Sequence, residues 1–574
     1  MQGWWPMGLG LLLLVVVAYF SLGKSFASDE SEMVCSARGL LLHSRSIYYN
    51  GDIPAEYRAA NSSWVYQSSP VANHPYSLWH TTLFLHALAA AFALFGVSFL
   101  TARAFGLLCI LGTLWCAQRI IGLQTADRDS RSSVFAWQVI LSASNPFLIQ
   151  LGFLATYDNT VVTLSSYAFL GEYLRVSGRR SPLVSAWLVS LLLLCFWSKE
   201  YAPLFVGAAV FLWECGRRNG RAALRVLLLL LVAGLASVLS WKLYCDLQGF
   251  PADFLLRVHY EQPAGGVFQV WREGGFSRVL LAWTITMACS LSWNSIFFGL
   301  LVIAAILWRV RNFLRTGSLE SLDLVVIFSC LYILAAKFLR PSIATLRYEY
   351  PAMPGLLLLI AFFLEKTIGR PRFGWIVASA LLAMVHFFRF GDIVLSTLQS
   401  GRGLYAFWNY AIWSLLAWLV LWLIFRTPRG AVVACAILLC AANLGLTVAQ
   451  CRPYITSADW LVDYGTMGPG EIVRLLQQKK VADLECVLPK GVGFLVSMAV
   501  NQPNFRWIND LALEESFVRG PEQVKDLLKP VRYIVWRGTG LPTEVAQELQ
   551  SLGFGLEAQA DGYLLLSRLP DSAP

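Results

Sequence analysis

The chain has 574 residues, of which 57% are hydrophobic and only 14% charged, with a mean hydropathy of +0.57 and a formal net charge of +10. Too little polar surface is available to close such a chain into a water-soluble globule, and apolar runs of about 16 to 22 residues recur from Leu9 to Leu446. The positive excess is not a nucleic-acid footprint. It lies beside apolar runs in short clusters (Arg217, Arg218, Arg221 and Arg225; Arg309, Arg311 and Arg315; Arg426 and Arg429), which read as topology signals and anionic-lipid contacts.

The first run, Met7 to Leu22, is long enough to cross most of a bilayer at about 1.5 Å per residue. Met1 to Ala27 also suits a signal peptide, with Ser25-Phe26-Ala27 as the cleavage-like triplet, but the first six residues carry no positive side chain. Either way Asp29 and Glu30 emerge at a membrane face. A polar loop follows to about Ser77. The next apolar stretch, Leu78 to Leu100, contains His80 and His86 and reaches Arg103 with almost no loop. It is expected to lie in the outer interface or to dip in and back; a crossing there would reverse the parity of everything after it.

Arg119, Arg128 and Arg131 precede an apolar stretch that ends near Tyr157, and Arg175, Arg179 and Arg180 follow the next one. With both clusters cytoplasmic, Asp158 falls on the outer face. The same alternation puts Lys199 and Glu200 outside, Arg217 to Arg225 inside, Gln248 to Arg278 outside, Arg309 to Arg315 inside and Arg347 outside. Val279 to Leu291 is treated like Leu78 to Leu100. The scheme needs about thirteen spans and delivers the tail from Cys451 onward to the outer face.

The expected fold class is therefore an all-α polytopic membrane protein with a small C-terminal soluble α/β domain. Residues 1–450 form the membrane domain, with external loops 23–77 and 248–278, and residues 451–574 form the accessory domain. In the tail, Glu471 to Lys479, Pro521 to Leu528 and Thr543 to Leu552 have helical period, while Leu484 to Leu488 and Val531 to Trp536 are strand-like. Among the twelve cysteines there is no CxxC pair; Cys35, Cys451 and Cys486 lie in polar segments and are open to pairing on an oxidising side. No Gly-rich phosphate loop, GxSxG or HExxH occurs.

Acids at a membrane edge are costly and call for a function, which singles out Asp29, Glu30 and Asp158. Asp158 equally suits the N-cap of a span beginning at Thr160. Around these acids the sequence resembles the GT-C superfamily of integral-membrane glycosyltransferases, which includes protein O-mannosyltransferases and lipid A aminoarabinose transferase-like enzymes. The resemblance rests on Asp29-Glu30 followed by Ala37-Arg38-Gly39-Leu40, and on Asn73-His74-Pro75-Tyr76-Ser77-Leu78-Trp79, where a Pro-Pro-Leu-like turn is usual in the family. It extends to Arg103 at the opening of the next span, Asn145-Pro146 leading to Asp158, Trp197-Ser198-Lys199-Glu200, and Arg347-Tyr348-Glu349-Tyr350-Pro351-Ala352-Met353-Pro354. It covers roughly Leu9 to Leu364.

The resemblance implies a polyprenyl-phosphate sugar donor, a lipid, glycan or protein acceptor, and inverting transfer in a bacterial inner membrane with the site facing the periplasm. It gives Asp29 the role of base, with Glu30 orienting a helix or the acceptor. Asp158 would bind sugar, shape the surroundings of Asp29 or hold a divalent ion with it. Arg347 and Lys199 are the donor-phosphate candidates, joined by Tyr348, His74 and His259; for Arg347 and Lys199, snorkelling at a span end is the ordinary alternative. The rival functions are a lipid-linked saccharide transporter or flippase, a polysaccharide polymerase or ligase, and a scaffold. A transporter is expected to show internal repeats or broken mid-membrane helices, and none is visible in the sequence.

Overall fold

The computed structural model describes residues 28–44, 80–145, 155–179, 181–248, 267–292, 296–339, 349–382, 428–450, 470–481, 486–488, 506–507, 528–529, 531–560 and 562–569, with isolated positions near residues 8–15 and 252–255. Helices dominate: α1 (Ser28–His43), α2 (Leu83–Phe95), α3 (Phe99–Gln124), α4 (Arg128–Ser144), a π-helical turn (Asp158–Val162), α5 (Thr163–Val176), α6 (Pro182–Ser198), α7 (Ala202–Gly216), α8 (Gly220–Gln248), α9 (Val267–Ser292), α10 (Ile296–Thr316), α11 (Ser321–Leu339), α12 (Met353–Ile368) and α13 (Pro428–Gln450). Among the described residues four helices are long and apolar enough to cross a membrane, namely Phe99–Gln124, Gly220–Gln248, Phe297–Thr316 and Glu349–Ile368. The chain is a multi-pass membrane protein.

Local chemistry sets the helix starts. Ser98 accepts the Thr101 N–H at 3.1 Å to cap α3. Asp127 accepts the Ser130 N–H at 2.7 Å to cap α4, and Ser181 accepts the Val184 N–H at 3.2 Å ahead of Pro182 in α6. Each satisfies a backbone donor that the helix leaves open. Burial then sorts the helices. From Met353 to Leu364, α12 is buried on all sides, as a helix apolar all round must be. At Gly355 a β-carbon would overlap Ser329 Oγ and Tyr167 Oη, so this glycine lets α12 press against α5 and α11. By contrast α8 exposes Leu228, Leu231, Leu235 and Leu239, an apolar flank suited to lipid.

One end of the bundle gathers arginines that the sequence had in separate loops. Arg119 and Arg175 both meet Glu172, at 2.7 and 2.6 Å. Arg309 meets Asp323 at 2.7 Å and Glu320 at 3.0 Å, while Gln124 also donates to Glu320 and the Trp213 indole N–H donates to the Glu320 carbonyl at 2.8 Å. Loops expected on one side of the membrane thus converge. Arg309 is buried and paired here, a correction to its reading as an anionic-lipid contact.

Two expected loops contain helices. Loop 23–77 holds α1, and the second half of loop 248–278 belongs to α9, which is broken at Gly274 and Gly275, the latter at φ 67°. Within Leu78 to Leu100 the helix is α2, whose 13 residues span only about 20 Å against a hydrocarbon core of about 30 Å.

The tail folds as α/β. Helices α14 (Gly470–Gln478) and α15 (Thr543–Ser551) accompany strands β1 (Cys486–Leu488), β2 (Arg506–Trp507), β3 (Tyr533–Arg537), β4 (Phe554–Ala560) and β5 (Tyr563–Arg568), in the order β2-β1-β3-β5-β4. The β1 strand runs parallel to β2 and β3, and β5 runs antiparallel to β3 and β4. Alternation along the strands divides two cores. Ile534, Trp536, Leu564 and Leu566 pack with Val545 and Leu549 of α15. Val535 and Leu565 share a cluster with Ile472, Val473 and Leu476 of α14. The expected helices at Glu471 and Thr543 and the strands near Leu484 and Val531 are present. The β4–β5 hairpin, turning at Gly562 with φ 78°, was not expected; Pro521 to Leu528 falls outside the described residues except for Leu528.

Candidate active site

Three carboxylates meet around the π-helical turn, each engaged by a different partner. Glu30 sits in the first turn of α1 and is fully buried; its Oε1 accepts Arg103 Nη1 at 2.6 Å and the Ala155 N–H at 2.7 Å. Arg103 belongs to the start of α3 and is itself buried. One side chain therefore ties the start of α1 to α3 and to the segment that leads into Asp158. A buried carboxylate persists only when charge and lone pairs are both answered, and here an arginine and a backbone amide answer them.

Asp158 opens the π turn. Thr163 Oγ1 donates to the Asp158 carbonyl at 2.6 Å, and Thr160 Oγ1 donates to the Thr156 carbonyl. Single π turns of this kind widen a helix locally and are frequent at functional sites. Lys199 Nζ donates to both Asp158 oxygens, at 2.7 and 2.8 Å. Lys199 is the C-cap of α6, fixed by its own N–H on the Cys195 carbonyl at 3.0 Å and by the 3.0 Å contact between the Ser198 and Ser165 hydroxyls.

The third carboxylate is more open. His80 Nδ1 lies 3.1 and 3.3 Å from the two oxygens of Glu200. Thr81 Oγ1 donates to the Phe196 carbonyl at 2.6 Å, docking this segment on the end of α6. The Tyr157 ring stands edge-on to His80 at 5.4 Å and packs against Phe84 at 4.8 Å. The side chains of His80 and Glu200 are 16% and 19% exposed, against 0% and 8% for Lys199 and Asp158. This pair is the most exposed of the three.

Among the residues expected from sequence, Asp29 occupies the first turn of α1, one residue before Glu30. His74, His259, Arg347 and Tyr348 lie outside the described residues. Glu349 and Tyr350, which follow them, are buried in the turn that starts α12. Two expectations are corrected. Asp158 is not a helix N-cap, because its carboxylate goes to Lys199 and no side-chain cap bond forms at that turn. Lys199 does not snorkel; it is sealed against Asp158.

Both Asp158 oxygens face the Lys199 ammonium, which a divalent ion at Asp158 would have to displace. Among the described residues no three His, Cys, Asp or Glu side chains cluster as metal ligands. Sequence reasoning missed α1 and the His80–Glu200 pair. The signal for α1 was present in Met33, Val34, Ala37, Leu40 and Leu41, which recur at helical spacing. Nothing in the sequence links His80 to Glu200, 120 positions away.

No family model matches the sequence, and no curated protein matches it either. Solved structures do. ArnT from Cupriavidus metallidurans bound to undecaprenyl phosphate matches over 100% of both chains with a TM-score of 0.59 at 15% identity. The chain is folded like ArnT. The apo state of ArnT matches 99% of this chain and 98% of its own with a TM-score of 0.52 at 14% identity. The expected architecture, a helical membrane bundle with a small α/β tail, is thereby shown as a fold like that of ArnT. ArnT is similar along its whole length, so the membrane bundle and the tail sheet are both included in the likeness.

Proposed function

We propose that the chain is an inverting glycosyltransferase that moves a sugar from a polyprenyl phosphate to a lipid, glycan or protein acceptor on the periplasmic face of a bacterial inner membrane. The observation that carries this reading is the Glu30 carboxylate. It joins the helix start bearing Asp29 to the segment ending in Asp158, within a fold like that of ArnT bound to undecaprenyl phosphate.

Asp29 takes the proton of the acceptor hydroxyl while that oxygen attacks the anomeric carbon from the face opposite the phosphate. The bond between the anomeric carbon and the phosphate oxygen breaks, and its electron pair leaves on polyprenyl phosphate. Glu30 is not the base: with Arg103 and the Ala155 N–H on it, its role is to fix the start of α1. Asp158 and Lys199 form the polar floor beneath the sugar. Arg347, Tyr348, His74 and His259 are proposed to meet the donor phosphate, where developing charge needs cations and hydrogen-bond donors. Residues 1–450 form the catalytic unit, and the α/β tail in 451–574, on the same side of the membrane, docks the acceptor.

The test is mass analysis of glycolipids and glycoproteins from a deletion strain carrying the wild-type gene or Asp29→Asn. The expected result is one class of glycoconjugate that lacks a sugar in the deletion strain and regains it with wild type alone. An unchanged profile in all classes would count against the function.

A further inference from the structure

At the end of the bundle that gathers arginines, α5 packs between α3 and α6. Leu164, Ala168 and Glu172 follow one another at helical spacing along α5, the two apolar residues part-exposed, and form the floor of a shallow groove. On the α3 wall, Leu108, Leu111, Trp115 and Arg119 fall on one exposed stripe. On the α6 wall, Trp187 and Leu194 are exposed, and the Trp187 side chain reaches Glu172. Exposed leucines on a membrane-spanning helix face acyl chains, and tryptophans mark headgroup level. The groove therefore runs from hydrocarbon depth to headgroup depth and ends on charge.

That charge is unbalanced. Glu172 Oε1 meets Arg119 Nη1 at 2.7 Å, and its Oε2 accepts Arg175 Nη2 at 2.6 Å and Nε at 2.8 Å. Two guanidinium charges against one carboxylate leave one positive charge in excess. The Arg119 and Arg175 side chains are 41% and 44% exposed, and among the described residues no hydrogen bond occupies Arg119 Nε or Nη2, or Arg175 Nη1. The Trp115 ring holds the Arg119 guanidinium at 4.9 Å. Open planar donors at the head of an apolar stripe match a phosphodiester that carries acyl chains. We propose that this groove binds an anionic glycerophospholipid of the adjoining leaflet, its phosphate between Arg119 and Arg175 and a chain along Leu111, Leu108 and Leu164. A free phosphate ion would leave those leucines unused. Arg175 lies about 25 Å along the helix axis from Asp158, so the lipid site is apart from the candidate active site and independent of the glycosyl-transfer reading.

Native mass spectrometry of the purified full-length chain in detergent tests this through the first lipid bound. The probes are dioleoyl phosphatidylglycerol and dioleoyl phosphatidylcholine, which share their chains and differ in net charge. One excess arginine near the membrane surface predicts about fivefold tighter binding of phosphatidylglycerol. Glu172→Gln leaves both arginines unopposed and should widen the preference to about 25-fold. Arg119→Gln, Arg175→Gln and Glu172→Gln together remove all three charges, strand no ion in the bundle, and should lose the preference. Equal binding of the two lipids by wild type, or a preference that survives unchanged in the triple variant, overturns the proposal. Displacement of phosphatidylglycerol by an equal concentration of inorganic phosphate would mark an ion site instead of a lipid site and overturns it as well.

Discussion

Lys199 and Asp158 are 41 residues apart in the chain, yet the lysine ammonium sits 2.7 and 2.8 Å from the two aspartate oxygens with its side chain wholly buried. The pair welds the end of α6 to the π turn. It also neutralises two charges that neither segment would tolerate alone in an apolar bundle.

Removing one member should therefore cost more than removing both. Lys199→Met leaves a buried carboxylate without its cation and is expected to destabilise the bundle by about 3–5 kcal/mol. Lys199→Met combined with Asp158→Leu should recover much of that loss. Thermal unfolding of the three proteins in detergent decides it: strict additivity of the single substitutions would show that the charges are not coupled.

Glu30 makes a separable prediction. Glu30→Gln keeps an acceptor for the Ala155 N–H but loses the charge matched to Arg103, so the start of α1 should loosen. A displacement of about 1 Å near reacting groups costs up to about 100-fold in rate. The fall is expected in kcat, with KM for the donor little changed. A loss confined to KM would instead place Glu30 in donor binding.

Much of this was legible in the sequence, and the reasons for the gaps are physical. Long apolar runs announce spans because the bilayer requires them. The strand at Val531 and the helix at Thr543 follow from periods of 2 and 3.6. The β5 strand was missed because Tyr563 to Leu566 are all buried, so a sheet covered on both faces shows a continuous apolar run without alternation. The candidate site stood out in the sequence as a set of acids but not as a set of pairs. Glu30 with Arg103, and Asp158 with Lys199, are partnerships made by tertiary packing across 73 and 41 positions.

The tail should be breakable without unseating the bundle. Leu565 and Ile534 are fully buried on opposite faces of the sheet, and Leu565→Ala or Ile534→Ala is expected to cost about 2–5 kcal/mol. Limited proteolysis of the full chain should then cut within residues 470–569 at lower protease concentration while the membrane fragment stays intact. Equal loss of both parts would show that the tail and the bundle unfold together.

Lys479 supplies a pH-dependent contact in the same domain. Its hydrogen bond to Glu557, at 2.6 Å, is the main reason its pKa lies above the ordinary 10.5. A raised folded-state value means that the contribution is whole below 10.5 and is lost as pH climbs through the folded-state pKa. Tail stability should therefore decline above about pH 10.5, and Lys479→Met should remove that part of the decline. A variant with an unchanged alkaline limb would assign the effect to another group.

Turnover by the purified chain tests the central claim most directly. Full-length protein in nanodiscs, supplied with polyprenyl-phosphate sugars and acceptor extracted from the envelope, should release polyprenyl phosphate in step with glycosylation of the acceptor. Asp29→Asn, inserted and folded to the same degree, should release none. Wild-type release rates from Asp29→Asn would contradict the account, because the proton of the acceptor would then be leaving by another route.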